Sequence, residues 1–175
     1  LSASVASAFE IEARAVFGTQ PDSDTIRILS TADINYFTPV IESFRAFRPD
    51  LAIDYTVASS TEVMDAIVRE KHPFDIVISS AMDLQTKLAN DGLAREHISP
   101  TTQNLPDWAV WNDMVYAFTQ EPAGFVISNA LFDGLPIPQN RQKLITALRQ
   151  NPNRFKGRVG TYDIRKSGAG YLFAT

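Results

Sequence analysis

The 175-residue sequence contains no cysteine, which excludes disulfides, thiolate nucleophiles and cysteine-ligated metal sites. It also has no apolar run near the roughly 20 residues that a membrane-spanning helix needs. Basic runs are missing as well, so no segment could neutralise several phosphates, and the net charge is −4. We therefore expect no nucleic acid as a partner. Small anions stay open as ligands, because helix ends and hydroxyls bind them without net positive charge. The composition, 45% apolar and 21% charged, is typical of a globular protein.

The residue pattern of a catalytic or metal site is missing too. The two histidines, His72 and His97, are predicted to lie in a turn and a loop away from the strand ends. The glycine-containing segment 157–160 lacks the G-K-[ST] ending of a Walker loop, and no G-x-S-x-G motif occurs. Asp33 and Asp83 are predicted as first-turn acids that favour a helix dipole. We therefore predict that the protein is not an enzyme, and that it has no catalytic residue, no metal ligand and no cofactor.

The first residues are small and apolar, and 6–8 read Ala-Ser-Ala, the A-x-A pattern of a signal-peptidase site. One interpretation is the tail of a signal peptide, with the mature chain beginning near Phe9 and export to the periplasm. The other is a helix start of small residues. A polar, turn-rich segment follows at 19–24. Residues 1–24 are accordingly predicted to be a signal-peptide remnant with an N-terminal extension.

Hydrophobic periodicity predicts alternating strands and helices from residue 25 onward. Strands are expected at 26–29, 51–57 and 74–78, and helices up to about Arg48, at 59–71 and at 83–90. Three strand-then-helix units imply an α/β fold with a parallel-rich open sheet and helices on both faces. Further along, strands are expected at 108–118, 124–128 and 159–162, and a helix at 138–150.

Hydroxyl side chains follow each predicted strand of this sheet. They are Ser30 and Thr31 after the first strand, Ser59, Ser60 and Thr61 after the second, and Ser79 and Ser80 after the third. A fourth candidate segment, Ser167, Gly168, Ala169 and Gly170, opens a predicted helix. Ligands of open parallel sheets bind beyond the carboxyl ends of the strands, where helix N-termini converge. Two interpretations stay open: these residues bind an oxyanion, or they are ordinary helix caps.

The order of segments IRILSTAD, FTPVIESFRAFRPD, LAIDYTVASS, TEVMDAIVRE and FDIVISSAMDLQTKLANDGLA resembles the type 2 periplasmic binding proteins. The group it resembles is the iron(III)/small-anion type of extracellular solute-binding protein that feeds ABC importers. The later NRFKGRVGTYDIRKSGAGYLFA is similar to a second-lobe segment of that family. The resemblance implies two α/β lobes, here 25–118 and an incomplete second lobe at 119–175, that close on a solute by a hinge.

The same resemblance implies a monomer that captures a small solute in the cleft between its lobes and delivers it to a membrane permease. Iron-binding members of the family use tyrosine and often histidine ligands near the first strand. No histidine follows 26–30, so the hydroxyls favour a phosphate- or carboxylate-bearing solute over iron(III). The alternatives are a sensing module that presents the solute to a membrane receptor or kinase, an iron(III)-binding protein, and an enzyme on a similar fold.

Overall fold

Three of the four strands in the main sheet are parallel in a computed structural model, which describes residues 9–19, 21, 24–120 and 124–163. The strands have the order β1-β3-β2-β4; β2 pairs in parallel with β3 and β4, and β1 pairs antiparallel with β3. The elements are β1 (Ala13–Phe17), β2 (Thr25–Ser30), α1 (Ile34–Phe47), β3 (Ala52–Val57), α2 (Ser60–Met64) with a π-helical turn (Asp65–Arg69), β4 (Ile76–Ile78), α3 (Met82–Asn90), β5 (Val110–Trp111), β6 (Val115–Tyr116), α4 (Arg141–Gln150) and α5 (Pro152–Phe155). The predicted α/β fold with a parallel-rich sheet is confirmed.

All six residues of β3 are buried, because the strand lies inside the sheet and both of its faces are covered. On one face, Tyr55 and its alternate neighbours pack with Ile28 of β2 and Ile41 of α1. On the other side of the sheet, Leu29 of β2 packs with Val63 of α2 and with Ala66. Helices on both faces of the sheet therefore follow from the apolar residues on both sides of the central strands.

The antiparallel edge strand β1 was not predicted from the sequence. It pairs with β3 over its whole length, from Ala13 opposite Val57 to Phe17 opposite Ile53. The Arg14 guanidinium donates to both carboxylate oxygens of Asp54, from Nε at 2.7 Å and from Nη2 at 2.5 Å. This pairing neutralises the one acidic side chain of β3, which is 13% exposed.

Two predicted helices differ in detail from the observed ones. Helix α1 begins at Ile34, so Pro39 lies in its second turn, although proline is ordinarily tolerated only in the first turn of a helix. The predicted helix 59–71 is a short α-helix, α2, that continues as the π-helical turn. Ser59 is its N-cap and accepts from the backbone N–H of Glu62 at 3.3 Å. Ser59 and Glu62 have the S-x-x-E spacing of a capping box, but the Glu62 carboxylate accepts from the backbone N–H of Glu10 at 2.8 Å.

The strand predictions after residue 107 are wrong. The segment 108–118 holds two strands of two residues each, because Asn112 and Asp113 adopt left-handed φ values of 50° and 51° and reverse the chain. Residues 124–128 and 159–162 have no regular structure, although both are apolar enough for strands. In the ranges that the structure describes, neither segment has a partner strand. The helix at 138–150 is confirmed as α4, with Asn140 as N-cap.

The described residues divide into two compact units, one of residues up to 116 with 162 and 163, and the other of 117–161. The first contains both sheets and helices α1 to α3. In the second, Phe132 and Phe155 pack with ring centroids 5.0 Å apart. The lobe boundaries predicted above, 25–118 and 119–175, stay a prediction. No helix in the described ranges is long and apolar enough to cross a bilayer.

Candidate ligand-binding site

The carboxyl ends of β2, β3 and β4 lie side by side at one edge of the sheet. Ser30, the last residue of β2, is in register with Val57 and Ile78, the last residues of the two neighbouring strands. The predicted hydroxyl residues come directly after these positions. We call this group the hydroxyl edge: Ser30, Thr31, Ser59, Ser60, Thr61, Ser79 and Ser80.

Hydrogen bonds join the three strand ends of the hydroxyl edge. Thr31 donates its backbone N–H to the carbonyl of Ile78 at 3.0 Å, and its Oγ1 accepts from the backbone N–H of Ser80 at 3.4 Å. Ser60 Oγ lies 3.5 Å from Ser79 Oγ. The loops after β2, β3 and β4 therefore contact one another directly. The structure brings all seven predicted residues of these loops to one place.

Burial separates these hydroxyls into two groups. Ser30 is fully buried and its Oγ accepts from the backbone N–H of Ala32 at 3.0 Å, while Ser60 is 8% exposed. The Ser30 hydroxyl thus bonds within the loop after β2, and the Ser60 hydroxyl lies next to Ser79 of the loop after β4. Thr61 and Ser80 are exposed, and Thr31, Ser59 and Ser79 are half-buried. The exposed and half-buried members are the ones that a solute can reach.

Helix N-termini surround the hydroxyl edge and set its electrostatics. Helices α1, α2 and α3 begin at Ile34, Ser60 and Met82, within four residues of the strands that precede them. Backbone N–H groups of first helical turns favour negative charge. Acids offset part of this effect. Asp83 lies in the first turn of α3, as predicted, whereas Asp33, which was predicted in the first turn of α1, is its N-cap. An anion bound here would be held by hydrogen bonds, since the hydroxyl edge contains no basic side chain.

Tyr55 of β3 contacts the loop after β2 from the core, and sequence analysis did not identify this residue. Its side chain is completely buried, and its ring stacks on Phe37 of α1 with centroids 5.4 Å apart. The hydroxyl donates to the carbonyl of Ala32 at 2.9 Å. Burial raises the pKa of the Tyr55 phenol; a hydrogen bond with Ser30 acts against this rise, and the Asp33 charge adds to it. The sequence signal that could have identified Tyr55 is its hydroxyl, which is a polar group on the apolar face of the predicted strand 51–57.

The hydroxyl edge is distinct from a cavity of about 240 Å³ that shares no residue with it. That cavity is lined by Phe9, Arg14, Asp54 and Phe74 among others, on the sheet face opposite Tyr55. His72 also lines it, and its Nε2 lies 2.9 Å from a Glu70 oxygen.

Two further groups of predicted or candidate residues can be placed. His97 is held in its loop by a backbone bond to Asp113, so neither histidine belongs to the hydroxyl edge. No group of three or more histidine, aspartate or glutamate side chains that could hold a metal occurs among the described residues. The fourth predicted segment, Ser167, Gly168, Ala169 and Gly170, lies outside the described residues.

Comparisons with known proteins bear on this architecture. No family model matches the chain, and no curated protein does. Among solved structures, the chain is similar to the substrate binding protein of the ABC transporter from Agrobacterium tumefaciens, with 36% identity and a TM-score of 0.81. The likeness covers 96% of this chain and 51% of that protein, so the chain spans about half its length. The fold is therefore that of an ABC-transporter substrate-binding protein.

Proposed function

We propose that this protein is the substrate-binding component of an ABC-type importer and has no enzymatic activity. Its solute is a small compound that carries a phosphate or carboxylate group. One observation carries the proposal: hydroxyls that follow three adjacent parallel strands lie together, since Thr31 Oγ1 accepts from the Ser80 backbone N–H and Ser60 Oγ lies 3.5 Å from Ser79 Oγ. The likeness to the substrate binding protein of an ABC transporter supports it.

The chemistry of the hydroxyl edge supports an oxyanion as the group that is bound. Hydroxyls and first-turn N–H groups donate hydrogen bonds, and an oxyanion accepts several of them at once. Each helix N-terminus contributes roughly 0.3–1 kcal/mol to binding a negative charge in an exposed setting, so three must act together. Asp33 and Asp83 oppose the anion. The solute is therefore expected to bind through directed hydrogen bonds, with modest dependence on salt.

The rest of the proposal follows from the class of protein. A substrate-binding component works outside the cytoplasm, so we propose that the protein is exported, to the periplasm. Its partners are the solute and a membrane permease, and it acts as a monomer. The residues proposed to touch the solute are Thr31, Ser59, Thr61, Ser79 and Ser80, with Ser30, Ser60 and the segment 167–170 as the remaining candidates.

A thermal-shift screen of the full chain tests the ligand class. The panel contains glycerol 3-phosphate, citrate, inorganic phosphate, glucose and iron(III), each at a large excess. A ligand at a hundred times its Kd stabilises the folded state by about 2.7 kcal/mol, which is a readily measured shift in Tm. We expect a shift with a phosphate ester or a carboxylate. A shift with glucose or iron(III) alone would contradict the oxyanion proposal.

Two sets of substitutions then test the location of the site. Replacing Thr31 by Val and Ser80 by Ala removes the reachable hydroxyls of two neighbouring loops, and should weaken calorimetric binding of the stabilising compound at least tenfold. The matched control is Ser99→Ala with Thr102→Val, which removes a bonded Ser–Thr pair from a distant loop. Equal affinity in the two double variants would remove the hydroxyl edge from the proposal.

A further inference from the structure

We propose that Tyr55 is a positioning residue whose buried hydroxyl fixes the turn that carries Thr31 at the hydroxyl edge. The role rests on the proposed function, since it concerns one arm of the same site. Tyr55 does not reach a solute itself, because its side chain is fully buried. It acts through Ala32, the residue that follows Thr31.

The packing around Tyr55 requires a ring and does not require a hydroxyl. The ring stacks on Phe37 and belongs to a cluster with Ile28, Ile41 and Val57, all apolar. Phenylalanine would fill this space equally well. The hydroxyl must find a partner once it is buried: it donates to the Ala32 carbonyl at 2.9 Å and also interacts with Ser30, which precedes the same turn. The polar atom is thus directed at the turn between β2 and α1.

The residues that follow β3 and β4 both form hydrogen bonds with this turn. The Ala32 backbone N–H donates to Ser30 Oγ at 3.0 Å, and the Ser30 carbonyl accepts from Ala58 at the end of β3. Thr31 bonds to Ile78 through its backbone, and its Oγ1 accepts from Ser80. A displacement of Ala32 would move the Thr31 hydroxyl relative to both neighbouring loops. The Tyr55 bond restrains this displacement from the core side.

The donor stays protonated across the physiological range. Burial raises the pKa of the Tyr55 phenol, and the phenol therefore carries its proton at neutral pH. Loss of the phenol proton therefore does not remove this hydrogen-bond donor at neutral pH.

The variant Tyr55→Phe tests the role, because it removes the hydroxyl and keeps the ring. Ile41→Val is the matched control: it trims the same apolar cluster by one methylene and leaves the turn untouched. Two readouts are used in the full chain. Hydrogen exchange follows the Thr31 and Ala32 amides without ligand, and calorimetry follows binding of glycerol 3-phosphate and of citrate.

We expect Tyr55→Phe to speed exchange of these two amides about tenfold, and to weaken binding of the probe that the wild type binds about five- to tenfold, the equivalent of one hydrogen bond. Ile41→Val should leave both readouts near their wild-type values. Unchanged exchange in Tyr55→Phe, or equal changes in both variants, would overturn the role. So would faster exchange with wild-type affinity. If the wild type binds neither probe, faster exchange in Tyr55→Phe would still support the fixing of the turn, and the lack of binding would count against the oxyanion proposal.

Discussion

The two faces of β3 each bury a polar group, and the two groups stabilise different parts of the fold. Tyr55 points toward α1 and donates to the turn after β2, whereas its neighbour Asp54 points to the opposite face and accepts from Arg14 of β1. Side chains alternate along a strand, so adjacent residues serve opposite faces. One polar group holds a loop at the hydroxyl edge. The other holds an antiparallel edge strand.

The two groups also differ in their electrostatics. The tyrosine hydroxyl is neutral and fully enclosed, and its loss removes the hydrogen bond that it donates to Ala32. The aspartate is charged and 13% exposed, and Arg14, its partner, is 56% exposed. Loss of that partner leaves a largely buried carboxylate unpaired, which destabilises the folded state. Loss of the Tyr55 hydroxyl alone should therefore act on local order at the site, and loss of the Arg14 guanidinium on overall stability.

The largest effect is expected for Tyr55→Ala, which removes the ring as well as the hydroxyl. Truncation of a buried aromatic side chain costs about 3–5 kcal/mol of the free energy of unfolding. Urea unfolding followed by circular dichroism measures this loss. Tyr36→Ala is the control, because Tyr36 is 79% exposed on α1 and should change stability by less than about 0.5 kcal/mol. A loss below about 1 kcal/mol at Tyr55 would contradict the packing described here.

Arg14→Met should come next, with a loss of about 1–2 kcal/mol, below the roughly 3–5 kcal/mol of a fully buried pair because Arg14 is half exposed. Met keeps much of the aliphatic stem, so the change isolates the guanidinium. The double variant with Asp54→Asn closes a thermodynamic cycle and should lose less than the sum of the single variants. Hydrogen exchange at Thr31 and Ala32 should stay unchanged in Arg14→Met. Strict additivity would show that the pair contributes nothing.

Ser59→Ala should cost about 1 kcal/mol of stability through loss of the α2 N-cap bond. Asn140→Ala provides the comparison, since Asn140 caps α4 through a bond to the Lys143 N–H at 2.9 Å and lies far along the chain. Equal stability losses are expected from the two caps. If Ser59 also binds the solute, Ser59→Ala weakens solute binding and Asn140→Ala does not, although both lose the same stability. Identical binding in both variants would leave Ser59 as a cap alone.

The central sheet was predictable because its elements are locally encoded. Apolar residues recur with the right period in β2, α1 and β3, and the strand ends carry the hydroxyls that the structure brings together. The position of the hydroxyl edge follows from parallel topology, which places all carboxyl ends at one side. Contact of a solute with Ser30, Thr31, Ser59, Ser60, Thr61, Ser79 and Ser80 stays a prediction, and so does that of residues 167–170.

The remaining features depend on contacts that no local pattern contains. β1 is a strand because it pairs with β3, some forty residues away, and its five-residue sequence ARAVF is too short to indicate that partner. The segment 124–128 has strand-forming residues and lacks a partner in the described ranges, so its propensity is not used. Asn112 and Asp113 interrupt the predicted strand 108–118 by adopting left-handed φ values. The role of Tyr55 depends on where Ala32 lies in three dimensions.

The smallest effect is expected at Arg48 and Asp50, an exposed pair with nearly the same bidentate geometry as Arg14 and Asp54. Arg48 Nε and Nη2 lie 2.8 and 2.6 Å from the two Asp50 oxygens. The hydrogen bond from Arg48 lowers the pKa of Asp50 from its usual 3.8. The folded state is therefore favoured above the unfolded pKa, and this contribution is lost as the pH falls through the folded pKa. An NMR titration should find the Asp50 midpoint below 3.8 in the wild type, and closer to 3.8 in Arg48→Gln or in 1 M salt. A midpoint that is the same in all three conditions would show that the exposed pair does not persist in solution, in contrast to the persistence expected of the Arg14–Asp54 pair, which the thermodynamic cycle tests separately.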